Sequence, residues 1–172
     1  MPCVYVFDID GVLVDVSDRL RIASEKSKGK GKIFWSIFFS EELFKLDKPR
    51  IVGIKLLKEK AMKGDIYIIS GRPKRLYDIT LNQLKNLGIL HFIKTIILRG
   101  NNDLRPSHIY KLEVLSKLMN KGINICEIHD DDEKFVREVK ISFPNIDIYL
   151  HVGNEVMPYK KIRKLNHWFR GS

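Results

Sequence analysis

A chain of 172 residues is long enough for one well-buried core and short for two, so a single domain over 1–172 is expected. Hydrophobic residues at 44% and aromatics at 10% exclude disorder as the main state. The 31 Lys and Arg against 21 Asp and Glu leave a net charge of +10, which draws anions without saying which. The first apolar run, 4–7, is strand-length and continuous. About fifty residues separate it from the next strand, more than a simple crossover needs, so a small cap insertion is expected over 15–46. It contains a helix over 17–25, a Gly/Ser/Lys loop from Lys26 to Lys32, and an aromatic segment over 33–44.

Beyond the insertion, helical periods alternate with strand-length runs. Ile51, Ile54, Leu57 and Ala61 share one helix face, followed by a strand over 66–69. Leu76, Ile79, Leu84 and Leu87 mark the next helix, followed by a strand over 95–98. Ile109, Leu112, Leu115 and Met119 precede a strand over 123–128, and Phe135, Val136 and Val139 precede a last strand over 146–150. Gly64, Gly88 and Gly122 sit where helices should end, and Pro73 and Pro106 where they could begin. Continuous apolar strands need cover on both faces, so a three-layer α/β/α sandwich with a central parallel sheet is predicted. The tail over 159–170 is basic with Ile162, Leu165, Trp168 and Phe169 interleaved, a pattern for a docked amphipathic helix or, less commonly, a nucleic-acid face.

Two features bear on location. The opening Met1-Pro2-Cys3-Val4-Tyr5 lacks a basic stretch followed by a longer apolar block, and no apolar run approaches the roughly 20 residues that span a bilayer. Cys3 and Cys126 each lie in an apolar run, so buried thiols in a reducing compartment are expected rather than a disulfide framework. A cytoplasmic protein without membrane association follows.

In an open α/β sheet the ligand crevice lies at the carboxyl ends of the strands. Those ends carry Asp8-Ile9-Asp10-Gly11, Ser70-Gly71-Arg72, Arg99-Gly100 and His129-Asp130-Asp131-Asp132. Asp8 and Asp10 lean to one side of an extended backbone and repel each other unless a divalent cation lies between them. Asp130 and Asp131 add the hard oxygen donors that Mg²⁺ prefers. Acids with a cation attract a phosphate, for which Ser70 and the Gly71 amide are donors, Arg72 is a bidentate clamp and Lys111 is a charge to offset Asp8. Taken singly, each feature reads as a solvated loop, a plain turn or an exposed lysine; together they form a site.

Phe7-Asp8-Ile9-Asp10-Gly11-Val12-Leu13 resembles the first motif of the haloacid dehalogenase superfamily of phosphohydrolases. Ile68-Ile69-Ser70-Gly71, Lys111 and Asp130-Asp131 are similar to its other three motifs, in order. A looser resemblance, to the 3′-phosphatase domain of phage-type polynucleotide kinases, covers Asp18-Arg19-Leu20, Trp35-Ser36-Ile37-Phe38-Phe39, Asp47-Lys48-Pro49, Ser70-Gly71-Arg72, and Leu98-Arg99 with Asp103-Leu104-Arg105-Pro106 and Tyr110-Lys111.

The resemblance implies an Mg²⁺-dependent phosphomonoesterase with Asp8 as nucleophile and Asp10 as acid and then base, holding its proton more tightly than Asp8. It implies metal ligation by the Asp8 carboxylate, the Asp10 carbonyl and a fourth-motif acid, Asp131 first, with Asp130 acting through water and Asp132 leaving the register open by one. Ser70 and Lys111 would hold phosphoryl oxygens, with Gly71, Arg72 and Arg99 contacting substrate. The substrate reading stays divided between nucleic-acid ends, with Lys26, Lys28, Lys30, Lys32, Arg75 and Arg105 on neighbouring phosphates and Trp35 or Phe38 stacking bases, and nucleotides or other small phosphate esters. A non-catalytic nucleic-acid-binding module on the same scaffold is the third alternative. Oligomeric state is not legible.

Overall fold

The structure, a computed structural model, describes residues 1–29 and 31–160. Its centre is a six-stranded sheet built from β1 (Val4–Phe7), β4 (Asp65–Pro73), β5 (Ile93–Arg99), β6 (Ile125–Asp130), β7 (Asp147–Val152) and β8 (Glu155–Pro158), in the order β5-β4-β1-β6-β7-β8. Five strands run parallel, as expected; β8, unforeseen, pairs antiparallel with β7 at the edge.

Alternation along β1 explains the layers. Tyr5 and Phe7 face a core shared with Ile66, Ile68, Leu57 and Leu84, whereas Val4 and Val6 face one shared with Tyr67, Ile69, Leu115, Phe135 and Val139. Helices α3 (Ile51–Ala61) and α4 (Tyr77–Asn86) cover the first face; α5 (Ser107–Asn120) and α6 (Glu133–Ser142) cover the second. Both sheet faces are dry, which is why the strands read as unbroken apolar runs. After α4 and α5 the chain reverses through Gly88 and Gly122, with the paired amide bonds Ile89 N to Leu84 O and Gly88 N to Lys85 O, and Ile123 N to Leu118 O and Gly122 N to Met119 O, that close a helix end.

The inserted segment has its own root. Strands β2 (Val14–Asp15) and β3 (Lys48–Pro49) pair antiparallel and bring its two ends together. Between them lie α1 (Ser17–Ser27), α2 (Gly31–Phe38) and a 3-10 turn, Glu41–Leu46. Ala23, Phe38, Phe39 and Phe44 join the same core as Phe7 and Ile9, so the segment packs down on the sheet domain. Helix α3 follows at once and presses so close that a Cβ on Gly53 would collide with the Val12 carbonyl.

The cysteines correct the sequence reading. Cys3 and Cys126 form a disulfide with Cα atoms 5.5 Å apart. Strands β1 and β6 are neighbours, and the pairing slips from Val4↔Ile125 to Tyr5↔Glu127, which leaves Cys126 outside the register beside Cys3. The thiol basis for a reducing compartment therefore falls away. Among the described residues no helix is long and apolar enough to cross a membrane. Of the expected tail helix, Ile162, Leu165, Trp168 and Phe169 lie outside the described residues.

Candidate active site

Parallel strands deliver their polar ends to one edge of the sheet. Asp8 follows β1 directly and is fixed by its amide, which donates to the His129 carbonyl at 3.0 Å. Asp130 ends β6, the neighbouring strand. Lys111, from the buried side of α5, reaches both: its ammonium lies 2.7 Å from Asp8 Oδ2 and 2.7 Å from Asp130 Oδ2. One carboxylate oxygen from each of Asp8, Asp130 and Asp131 lies within 4.8 Å of the others.

The three consecutive acids divide their tasks. Asp130 accepts from Lys111 and from the Asp132 amide. Asp132 caps α6, accepting from the amides of Lys134 and Phe135, so its carboxylate turns to the helix. Asp131 is left to face the cluster, its position fitted to the turn after β1: a Cβ on Gly11, whose φ is +78°, would collide with the Asp131 carboxylate.

Charge crowding shows in the titration. Burial pushes the Asp8 carboxyl up, against the pull of Lys111. Burial and then repulsion from Asp130 and Asp8 push Asp131 up to about 8, although its outer side meets solvent. Lys111 loses from burial but gains more from Asp130 and Asp8, so its charge is held firmly. Two buried carboxylates and a third at the mouth, offset by one ammonium, leave excess negative charge on hard oxygens. That donor set fits Mg²⁺.

Asp10 stands apart from this group. Its carboxylate takes 2.6 Å and 3.2 Å bonds from Arg72 and a 2.7 Å bond from Arg19 of α1. Asp47, just before β3, receives Arg19 in turn at 2.8 and 2.9 Å and also Gln83 of α4 at 2.8 Å. Burial raises the Asp10 pKa, but Arg72 and then Arg19 outweigh it and hold the carboxyl down to about 2. The difference has a plain cause: two arginines stand beside Asp10, and one lysine shared with Asp130 stands beside Asp8.

Arg72 is the main partner of Asp10. It is fully buried, and beyond Asp10 its guanidinium donates to Thr80 Oγ1 at 3.1 Å and Gln83 Oε1 at 2.8 Å. Arg99 donates to the Arg105 carbonyl at 3.0 Å, closing the loop before α5, and none of its hydrogen bonds reaches the acids. Ser70 is buried, its Oγ accepting from the Arg72 amide at 3.3 Å. A Cβ on Gly71 would stand 2.7 Å from Ser107 Oγ.

Comparison with known proteins decides the family. The model for the HAD superfamily, subfamily IIIB (acid phosphatase), matches residues 2–141. The chain belongs to this family of phosphatases. Among solved structures, one from a Pnkp1/Rnl/Hen1 complex superposes with a TM-score of 0.65 at 17% identity, over 87% of this chain and 46% of that one. The haloacid dehalogenase-like hydrolase SP0104 of Streptococcus pneumoniae superposes with a TM-score of 0.55 at 16% identity, over 86% and 83%. Protein tyrosine kinase A of Mycobacterium tuberculosis reaches 0.60 at 14% identity, over 87% and 83%. These likenesses concern the fold, and the chain spans less than half the length of the Pnkp1-complex chain. No curated protein matches.

A second buried network in this HAD phosphatase escaped the sequence reading. Lys60 of α3 donates to Glu127 at 2.6 Å, Glu127 faces His129 Nε2 at 2.7 Å, His129 Nδ1 faces His151 Nε2 at 2.9 Å, and His151 Nδ1 meets Arg50. Only one proton arrangement satisfies every pair: both imidazoles neutral, each carrying its proton on Nε2. Burial, then His129 and Arg50, push the His151 pKa down to about 3, which agrees. Arg50 extends the chain of bonds to the carbonyls of Val12, Gly153 and Glu155, tying the β7–β8 turn to the loop behind Asp10. The five residues come from α3 and its N-terminal boundary, β6 and β7, and no spacing in the sequence announces that they meet.

A cleft of about 520 Å³ opens beside Asp131. Val16, Leu20, Pro49 and Ile51 give it apolar walls, and Asp15 and Asp131 are its acids. Arg50, which also lines it, is buried with its donors engaged as described.

Proposed function

We propose that this phosphatase removes terminal phosphate from nucleic-acid ends with Mg²⁺ held by Asp8, Asp130 and Asp131, through an aspartyl-phosphate on Asp8. The observation that carries the reading is the meeting of those three carboxylates within 4.8 Å around the Lys111 ammonium, at the carboxyl ends of adjacent strands. Bound there, Mg²⁺ supplies positive charge that offsets the crowded carboxylates and the phosphoryl oxygens.

The chain's own groups do the rest. An Asp8 oxygen attacks phosphorus, the bond to the leaving oxygen breaks, and Asp10 protonates that oxygen. In the second step Asp10 takes a proton from water, whose oxygen attacks the same phosphorus and frees Asp8. Lys111 and Ser70 hold phosphoryl oxygens, and the donors face fixed positions because Lys111 is locked between two carboxylates. Asp10 in its arginine pair is set as the base of the second step. To carry a proton for the first step it must part from Arg19 or Arg72, whose charges keep it ionised here.

Metal binding links to pH with a definite sign. Folded carboxyls raised above their unfolded values favour the protonated form, so the metal-free cluster stabilises least as pH rises from about 4 toward 8. The Mg²⁺-induced rise in melting temperature is therefore expected to grow from pH 5 to pH 8. In Asp131→Asn the metal-free protein is expected to gain on the order of 1 kcal/mol at pH 8, discounted for solvent screening, and to lose most of that Mg²⁺ response. Thermal melts with and without Mg²⁺ check this; an unchanged response in Asp131→Asn removes that residue from the metal site.

Nucleic-acid ends are favoured by the +10 charge and by likeness to a chain of the Pnkp1/Rnl/Hen1 RNA repair complex, at 16% identity and a TM-score of 0.62. A 3′-phosphorylated oligonucleotide is expected to turn over at least tenfold more efficiently than p-nitrophenyl phosphate at low salt, with the advantage shrinking as salt rises. Equal efficiency on both returns the reading to small phosphate esters, for which the 520 Å³ cleft beside Asp131 is a suitable size.

A further inference from the structure

We infer that Trp35, with Arg75 bonded to the carbonyl of the Phe39 on which it stacks, is a stacking platform for a base near the phosphorylated end of a single-stranded nucleic acid. The inference rests on the nucleic-acid reading above and names how the strand is held.

The aromatic run of the inserted segment splits into two kinds of residue. Phe38 and Phe44 are buried, and their rings lie 4.4 and 4.2 Å from the Arg19 guanidinium, so they pack the arginine that grips Asp10. Phe39 is also buried. Trp35 differs: it rests edge-on against Phe34 and Phe38 and is stacked on Phe39 at 5.7 Å, yet stays 52% exposed. An indole supported underneath and open above is what a base needs, since every base offers a π-face. Lid packing buries Phe38 and Phe39 on the same helix end, whereas Trp35 stays open on one side.

Position and charge agree. Trp35 lies one ring, 5.6 Å, from Phe38, which touches Arg19, which in turn bonds Asp10. The platform is thus within the first few nucleotides of the reacting phosphate. Arg75, just past the carboxyl end of β4, donates to the Phe39 carbonyl at 3.2 Å and is otherwise exposed, with Lys74 exposed beside it. Neither Arg75 nor Lys74 forms an ion pair among the described residues, and Lys28 and Lys32 at the α1–α2 corner are exposed and equally unpaired. Glu41 and Glu42 follow Phe39 and temper this charge without cancelling it. The 520 Å³ cleft beside Asp131 does not include Trp35 or Arg75 in its lining, and it carries Asp15, which repels a phosphodiester backbone. The strand therefore leaves the site over Trp35.

The test uses the full chain. In Trp168→Phe, Trp35 is the only indole, and an unphosphorylated single-stranded oligonucleotide is expected to quench its fluorescence, with affinity falling as salt rises. Trp35→Ala is expected to lose about 5- to 100-fold in kcat/KM on the 3′-phosphorylated oligonucleotide and to stay within about twofold on p-nitrophenyl phosphate, with Trp35→Phe in between. Indole emission unmoved by saturating oligonucleotide, or equal oligonucleotide turnover in Trp35→Ala and wild type, overturns the platform while leaving the phosphatase intact. If wild type cleaves p-nitrophenyl phosphate and no oligonucleotide, the nucleic-acid reading fails and the platform with it. Should Trp35→Ala unfold, the fluorescence titration and Trp35→Phe decide.

Discussion

Asp8→Ala is expected to abolish phosphate release, by on the order of 10⁴-fold or more, on every substrate that wild type accepts. Deleting the nucleophile removes the covalent route altogether, and it removes one of the three carboxylates that meet within 4.8 Å. The fold should survive the change. Lys111 keeps Asp130 at 2.7 Å, so its charge is not stranded in the core. Asp8→Asn belongs beside it, with the reservation that an Asn can deamidate back to the acid, so slow recovery in that variant signals repair and not catalysis. Retained turnover in Asp8→Ala, measured as phosphate release with Mg²⁺ present, contradicts the mechanism.

Reducing the Cys3–Cys126 bond is expected to cost stability on a similar scale. The bond closes a loop with a sequence separation of 123 residues. In the chain-entropy view a loop of that length contributes about 5 kcal/mol, an upper figure because the unfolded chain retains structure. For a domain of this size that corresponds to a melting temperature lower by about 10–20 °C. Activity per folded molecule should change little, since both cysteines lie at the ends of β1 and β6 remote from Asp8 and Asp130, at the amino end of one and the second residue of the other. The comparison is a melt of oxidised protein, reduced protein and Cys3→Ser with Cys126→Ser. Titration of two free thiols in the native, unreduced protein contradicts the pairing.

How far the sequence could be read follows from what kind of information each feature needs. Strands such as Val4–Phe7 were legible because each lies in a sheet covered on both sides, which writes burial directly into residue type. Glu155–Pro158 was not: at an open edge it needs only backbone bonds to β7, and its residues carry little burial. The disulfide was missed because its condition is strand order and a slip in register, and neither β1 beside β6 nor the offset after Val4 is visible in spacing.

The site divides in the same way. Asp8, Lys111, Asp130 and Asp131 could be singled out by position after strands and by motif, since each projects from a strand end or the helix beside it. The partners of Asp10 could not. Arg19 and Asp47 come from the inserted segment and its root, Arg72 from β4, Gln83 from α4, and their meeting depends on how that segment closes over the sheet. The sequence showed Arg72 only as a residue after a strand, and not that its guanidinium bonds Asp10, Thr80 and Gln83.

The most direct test of the account is to look for phosphate on Asp8 itself. The protein is mixed with a phosphorylated substrate and Mg²⁺, quenched in acid within one turnover, digested and analysed by mass spectrometry. The account expects the phosphoryl mass on the peptide containing Asp8, absent in Asp8→Ala and absent when Mg²⁺ is chelated. Full turnover with phosphate found on another residue, or with Asp8→Ala as active as wild type, contradicts it.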